Sequence, residues 1–460
     1  MSGQAHASIL LVLCFAASMQ CNAKDAEEVF AEADDYTVRI DVTINTAFSE
    51  DIRGEGHGAG FLVDRERRWV MTNAHVAARS PSTLEVIAAN DTRAGARKVY
   101  VDPYIDLAII ELDENIPALK EASLGCEQDP GTGHSVGAYG HPWGLNFTGT
   151  QGVISGSTER WGPTHLQTDT PINGGNSGGP LISMKTGQVI GINTSSINSE
   201  DDQNTNFAVP IVQACRILDL LREDVDPSPP ALAVDFYDTV GENDKLLVAR
   251  SFLSPQDIQL LEGDEIIAVS NRTVANVSEL VHWLRGSLGN VHLQVRREEE
   301  AIDLVGQLTP APNVVDRLGV SFSGVLFAES PIELKNVFGE GTTVMVHDIE
   351  DGSEGNGANI EVSDFLLRIN GTPIRDLAQL RELLVSSGET SEMVQLDFLR
   401  ISGAYGSGRL SESVRRDLKW TYPKDIGPWP RIQTASAPTG NATEGLGRRS
   451  FEMTEAKQEQ

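Results

Sequence analysis

Ser177 stands in Asn173-Gly174-Gly175-Asn176-Ser177-Gly178-Gly179-Pro180, one hydroxyl on a loop of small residues between two apolar runs. A serine nucleophile needs an exposed Oγ, a base within reach, and backbone N–H groups aimed at the oxyanion that develops on attack. Glycine on either side lets the chain turn tightly and approach a carbonyl with no Cβ in the way. The N–H groups of Gly175 and Ser177, with Asn176 between them, form the expected oxyanion hole. Upstream, His75 in Thr72-Asn73-Ala74-His75-Val76 follows an apolar strand, and Asp106 lies just before the run Leu107-Ala108-Ile109-Ile110. In such a set His75 takes the proton from Ser177 and later gives it to the leaving amine. Asp106 holds the imidazole tautomer and stabilises the imidazolium. Each residue alone has an ordinary explanation: a structural histidine at a strand end, a turn-capping aspartate, a glycine-rich turn. The three together, in this order, carry the reading. His57, His134, His141 and His165 are rival bases, but none has a comparable strand-end setting.

These residues need a scaffold. A chain of 460 residues exceeds one core, so two to four domains are expected. The 40% apolar content fits globular domains, and 36 Lys+Arg against 66 Asp+Glu leave a net charge of −30. That balance argues against nucleic-acid and anionic-membrane partners. Val38, Ile40, Val42 and Ile44 alternate with polar residues, as in a half-buried strand. Short strands with turn signals continue to about Pro210, which predicts an all-β barrel or sandwich. Residues 211–222 read as a closing helix. The acidic stretch 24–35 is expected to fray. Residues 9–17 form a short apolar run, too short to span a bilayer, and Cys21-Asn22-Ala23 offers cleavage after Ala23. A lipid anchor at Cys21 or an uncleaved anchor are the alternatives. With Cys14 and Cys21 in that segment, Cys126 and Cys215 remain, a pair that an oxidising compartment could bridge. No cysteine and histidine cluster has metal-ligand spacing, so neither metal nor cofactor is expected.

After Asp226-Pro227-Ser228-Pro229-Pro230, a stiff linker, an internal repeat appears. Asp264-Glu265-Ile266-Ile267-Ala268-Val269-Ser270-Asn271 matches Asp364-Phe365-Leu366-Leu367-Arg368-Ile369-Asn370-Gly371. Val277, Leu280 and Leu284 match Leu377, Leu380 and Leu384, one apolar helical face in each copy. The predicted division is a signal over 1–23, a catalytic domain over 24–225, a linker over 226–230, repeat modules over 231–310 and 311–422, and a disordered tail over 423–460.

The order His, Asp, Ser is that of the chymotrypsin arrangement rather than the α/β-hydrolase or subtilisin ones. Further segments resemble the Deg/HtrA serine proteases: Gly58-Ala59-Gly60-Phe61, Gly140-His141-Pro142-Trp143-Gly144-Leu145, Val189-Ile190-Gly191-Ile192-Asn193-Thr194 and Asn206-Phe207-Ala208-Val209-Pro210. That resemblance implies a mainly β fold, a chymotrypsin-like double β-barrel followed by two PDZ-like α+β domains. It implies cofactor-free endopeptidase activity on unfolded or damaged proteins in the periplasm or outside the cell, and a homotrimer or a multiple of trimers. It places Ile172 in the S1 pocket, with Ser196 and Ile197 where an aliphatic pair is common. The loop 48–56 is short beside the regulatory loop of some members. Phe30, Tyr36 and Phe48 are candidate trimer contacts or simple core covers. In the second module Leu318, Gly319 and Val320 are the expected carboxylate-binding loop for C-terminal peptides. The first module has no clear equivalent and is expected to serve as scaffold. The alternative reading is a PDZ-bearing holdase or adaptor on a protease-like scaffold.

Overall fold

The computed structural model describes residues 25–426, apart from 142–146, 160–161, 197–204, 233, 238–244, 252, 254–257, 288, 290, 312–313, 331–342, 387–392, 402–406 and 416–423. The expected signal, Ile197, Trp143 to Leu145 and the tail after residue 426 lie outside the described residues.

The chain opens with α1 (Ala26–Asp34), where fraying was expected. The helix is instead docked. Val29 and Ala33 are buried, Phe30 stacks on Tyr139 with ring centroids 5.7 Å apart, and the Tyr139 hydroxyl donates to Asp34 at 2.8 Å. Glycine at 137 and 149 makes room for the Phe30 ring, which a Cβ at either position would strike.

Six strands then close a barrel: β1 (Thr37–Ile44), β2 (Gly54–Asp64), β3 (Trp69–Thr72), β4 (Thr83–Ala88), β5 (Arg93–Asp102) and β6 (Leu107–Leu112). Between β3 and β4 lies the short helix α2 (Ala74–Ala77). The alternation in β1 holds: Val38, Ile40, Val42 and Ile44 all join the core inside this barrel. A second barrel follows: β7 (Ser135–Gly140), β8 (Thr148–Thr158), β9 (His165–Thr168), β10 (Pro180–Ser183), β11 (Val189–Ser196) and β12 (Asn206–Pro210). A third core lies between the barrels. Phe61, Met71 and Ile109 from the first meet Tyr139, Ile182 and Ile192 from the second, and α3 (Ile211–Arg222) closes over them. Cys126 and Cys215 form a disulfide that ties the inter-barrel segment to α3.

The repeat is legible in side-chain detail. The first copy holds β13 (Val234–Phe236), β14 (Val248–Ser251), β15 (Glu265–Val269), β16 (Arg272–Thr273), α4 (Val277–Leu284), β17 (Val291–Arg297) and β18 (Glu300–Gly306). The second holds β19 (Gly319–Phe322), β20 (Val325–Glu329), β21 (Val344–Ile349), β22 (Phe365–Ile369), β23 (Thr372–Pro373), α5 (Leu377–Ser386), β24 (Met393–Ile401) and β25 (Ser407–Arg415). Asp264 pairs with Arg297 at 2.7 Å, and Asp364 pairs with Arg400 at 2.6 Å. Each aspartate also accepts the amide three residues upstream, from Leu261 and Glu361. Asn276 caps α4, and Asp376 accepts from the Gln379 amide at the same place in the second copy. One expectation fails here. Lys424–Ile426, placed in a disordered tail, forms β26 and pairs with β19. Lys424-Asp425-Ile426 holds one apolar residue in three, too little pattern to register as a strand.

Both copies are fastened to the barrels. Arg285, at the end of α4, is buried against Asp102 at 2.6 Å. The Thr164 amide donates to Ser278 at 2.7 Å, and Asn276 donates to Glu159 at 2.6 Å. The loop between β1 and β2 reaches the second copy. Phe48 is buried with Leu326 and Ala328, Glu50 pairs with Arg317 at 2.8 Å, and Arg53 pairs with Asp348. Tyr36 and Phe48 are buried within this chain, and Phe30 is half-buried against Tyr139. Among the described residues no helix is long and apolar enough to cross a membrane.

Candidate active site

The two barrels meet where the Ser177 loop enters β10. The Ala59 amide donates to the Ser177 carbonyl at 2.7 Å, so β2 of one barrel holds the loop of the other. β11 holds it from the far side: the Gly178 amide donates to Asn193 O at 2.8 Å, and the Asn193 amide to Gly179 O at 2.9 Å. The approach leaves no space at Gly178. Its φ is +82°, and a Cβ there would lie 2.2 Å from both Ala59 O and Thr72 Oγ1.

His75 sits on α2, carried there by β3. Asp106 ends the turn between β5 and β6 with φ 56°, an unusual backbone state for a residue with a side chain. Two neighbours hold that turn. Asp102 Oδ1 accepts the amides of Tyr104 at 2.9 Å and Ile105 at 3.2 Å, and Asn73 Nδ2 donates to the Asp106 carbonyl at 2.9 Å. The Asp106 carboxylate is then aimed at His75: Oδ2 lies 2.8 Å from Nδ1, and Oδ1 accepts the His75 amide at 3.0 Å. The Thr194 hydroxyl donates to Oδ2 at 2.7 Å, and Arg79 approaches Oδ1 to 3.5 Å. Burial by itself would raise the Asp106 carboxyl. The hydrogen bond and charge of His75, the Thr194 hydroxyl and the His75 amide outweigh it and hold the group below its ordinary range. Asp106 is therefore an ionised orienter at neutral pH.

The Ser177 hydroxyl donates to the Thr194 carbonyl at 3.0 Å, and among the described residues no hydrogen bond joins it to His75. Thr194 thus touches the serine with its carbonyl and the aspartate with its hydroxyl. The amides of Gly175 and Ser177 have no acceptor among the described residues, which leaves both for an oxyanion. Asn176 differs from expectation: its amide donates to Asn173 O at 2.9 Å, so it supplies no oxyanion donor in this arrangement. The loop closes as a tight turn there, and a turn of this kind consumes one of its own N–H groups. Ile172 packs in the second barrel's core with Val136, Ile154, Leu181 and Ile190. Ser196 ends β11 opposite Asn206. Three of the four rival histidines are occupied: His141 faces Gly58 O at 2.6 Å, His134 faces the Ser183 hydroxyl at 2.8 Å, and His165 faces Pro163 O at 2.7 Å; His57 is exposed and meets the His141 ring at 5.8 Å.

Sequence reasoning did not single out Thr194, Asn73 or Arg79. Thr194 and Asn73 were visible only as members of motifs, because a hydroxyl or amide that works across a fold leaves no local pattern. Arg79 lies two residues past the end of α2, beyond Ala78 with φ 66°, so no helical spacing in the sequence tied it to His75.

Residues 58–192 match the family model for the trypsin-like peptidase domain. A probable periplasmic serine endoprotease DegP-like of Halomonas elongata is 30% identical over 355 residues, covering 71% of this chain and 73% of that protein. A protein of the same description from Pseudomonas fluorescens is 28% identical over 358 residues, covering 71% and 73%. Among solved structures, HtrA-type protease AlgW with tripeptide superimposes with a TM-score of 0.52 at 23% identity, covering 63% of this chain and 99% of that one, a likeness of fold.

Proposed function

The chain belongs to the DegP/HtrA family of serine endoproteases, and on that footing we propose that His75, Asp106 and Ser177 are its catalytic triad. The observation that carries the assignment is the carboxylate of Asp106, held by Nδ1 and the amide of His75 and by the Thr194 hydroxyl. With Nδ1 so engaged, Nε2 is the free base on the serine side. Ser177 Oγ attacks the scissile carbonyl carbon, and His75 takes its proton and passes it to the leaving amine. A water then attacks the acyl-enzyme by the same relay. The Gly175 and Ser177 amides stabilise each oxyanion. The Ser177 hydroxyl turns toward Thr194 O in the resting chain, so attack requires it to rotate to the imidazole. Contacts of this kind commonly tighten only with substrate bound.

Unfolded proteins in the periplasm are the substrates this reading assigns, in line with the two periplasmic relatives and with the apolar segment 9–17, cleaved after Ala23. The assembly is a trimer or a multiple of it. Ile172, Ser196 and Ile197 line S1. The repeat modules act as PDZ domains over 231–310 and 311–422. The first is a scaffold, as its buried Arg285 suggests. The second takes C-terminal peptides at Leu318, Gly319 and Val320. The test is cleavage of unfolded casein by the native chain beside Ser177→Ala and Asp106→Asn. Loss of at least about a thousandfold in each supports the triad, and equal cleavage by Ser177→Ala rejects it.

A further inference from the structure

We propose that the outer edge of β19 is a strand-addition site for peptide C-termini and that its resident occupant is this chain's own segment Lys424–Ile426. The inference rests on reading residues 318–320 as the carboxylate-binding loop.

A strand has two edges. One edge of β19 is paired with β20, Gly319 opposite Ala328 through Phe322 opposite Val325. The other edge is the one a peptide would join, and β26 holds it: Gly319 faces Ile426, Val320 faces Asp425 and Ser321 faces Lys424, antiparallel. β26 is the last strand of the sheet on that side. The direction of the segment matters. It runs from Ser321 toward Gly319, so Ile426 reaches the position beside the loop where the final residue of a bound peptide would lie. Leu318, the residue before Gly319, is exposed.

The template beneath is rigid. Val320 and Phe322 are buried in one core with Leu380 and Leu384 of α5, which fixes the edge on which a ligand is read. Among the described residues the first copy has no strand in the place of β19: β14 is bridged to β15 through Leu247 and Glu265, as β21 is to β22, but β13 pairs with β14 alone.

The resident segment is an imperfect ligand. The sequence runs on past Ile426 to Gln460, so the segment brings backbone hydrogen bonds to the edge but no terminal carboxylate to the loop. Its advantage is tethering. Eight residues, 416–423, separate it from β25, and a short tether gives an effective concentration on the order of millimolar. A free C-terminus must therefore outcompete a neighbour that is always present, and does so through the charge that the neighbour lacks. The edge is closed to weak or internal segments and open to exposed carboxyl ends.

The test compares the native chain, a chain ending at Lys419, and the full-length variant Lys424→Pro/Asp425→Pro. Successive N–H groups of a strand point to opposite sides, so the double substitution removes a ladder donor whichever side faces β19. Exchange of those amides among Gly319–Phe322 that face β26 should accelerate at least tenfold in both altered chains, while those facing β20 stay protected, and the synthetic peptide of residues 418–427 should restore protection in the truncated chain. A labelled decapeptide with an aliphatic last residue and a free carboxylate should bind both altered chains at least tenfold more tightly than the native chain, and its amidated form should lose that gain. Unchanged exchange, or equal affinity in all three chains, overturns the proposal. Faster exchange with no peptide binding by any chain overturns instead the carboxylate-loop reading and reduces β26 to a structural strand.

Discussion

Arg285 Nη1 lies 2.6 Å from Asp102 Oδ2, and the two side chains are 2% and 0% exposed. The same guanidinium donates to the Pro227 carbonyl at 2.6 Å, and the Tyr100 hydroxyl donates to Asp102 at 2.9 Å. The other oxygen of Asp102 caps the turn that delivers Asp106. The first repeat thus reaches through the linker to the carboxylate that shapes the active-site turn. Arg285→Ala would leave that carboxylate buried with no cation, at a cost of about 3–5 kcal/mol. Arg285→Lys, which keeps charge but loses the fork, should fall between. Thermal unfolding reads both, and casein cleavage by Arg285→Ala should fall with it. An unchanged melting temperature would show that the pair carries no net stability.

Acid should loosen the loop that ties β1–β2 to the second repeat. Burial, helped by the Arg317 charge, pushes His347 down to about 4, against the pull of Glu50 and the Glu329 carbonyl. Its Nδ1 accepts the Ser49 amide at 3.3 Å and its Nε2 faces Glu329 O at 3.2 Å, so the ring is neutral with its proton on Nε2. Released, the histidine protonates near 6.5; docked, it does so only near 4. The folded value is the lower one, so this contribution is intact above 6.5 and drains away as pH falls toward 4. Glu50 acts in the same sense. Burial raises it, but the Arg317 hydrogen bond and charge hold it below its ordinary value, favouring the docked loop until acid protonates it. Amide exchange at Ser49, corrected for its intrinsic rate, should be faster at pH 5 than at pH 7.5. His347→Asn should blunt the difference.

Gly178→Ala places a methyl where the gap to Ala59 O and Thr72 Oγ1 is 2.2 Å, at a φ of +82°. The carbonyl cannot retreat without moving β2, so the serine loop must shift instead. A displacement of about 1 Å at a nucleophile can cost on the order of a hundredfold in rate. A fall in kcat of that order, with the fold retained by circular dichroism, is the expected result. Near-native kcat would mean the loop tolerates the shift.

Much of the fold could be read in the chain because its signals are local and repeated. The alternation of Val38 to Ile44 placed β1, and the apolar faces of Leu280 and Leu380 placed α4 and α5 in equivalent copies. The three candidate catalytic residues were legible because each stands next to a strand in a distinct small-residue or apolar setting. What stayed hidden is non-local. Nothing near Thr194 announces that its hydroxyl meets Asp106 from 88 residues away. Nothing near Arg285 announces Asp102, and β26 is too short to show a period. The acidic stretch of α1 looked weakly structured because its docking face is only Val29, Phe30 and Ala33, supplied with partners by Tyr139 and the two glycines at 137 and 149.

The Cys126–Cys215 bridge closes a long loop, with a sequence separation of 89 between its ends, and holds α3 on the seam between the barrels. Opening it by reduction, or by Cys126→Ser with Cys215→Ser, should cost about 2–5 kcal/mol. Denaturant titration with and without reductant measures this. Identical midpoints would mean that burial alone secures α3.

Proteolysis by this chain requires Ser177 as an activated nucleophile. A fluorophosphonate probe followed by peptide mass spectrometry tests that directly. The expected result is one covalent adduct on Ser177, absent from His75→Ala and strongly slowed in Asp106→Asn. An unlabelled native chain that nonetheless cleaves casein, or label on Ser177 at the same rate without His75, would contradict it.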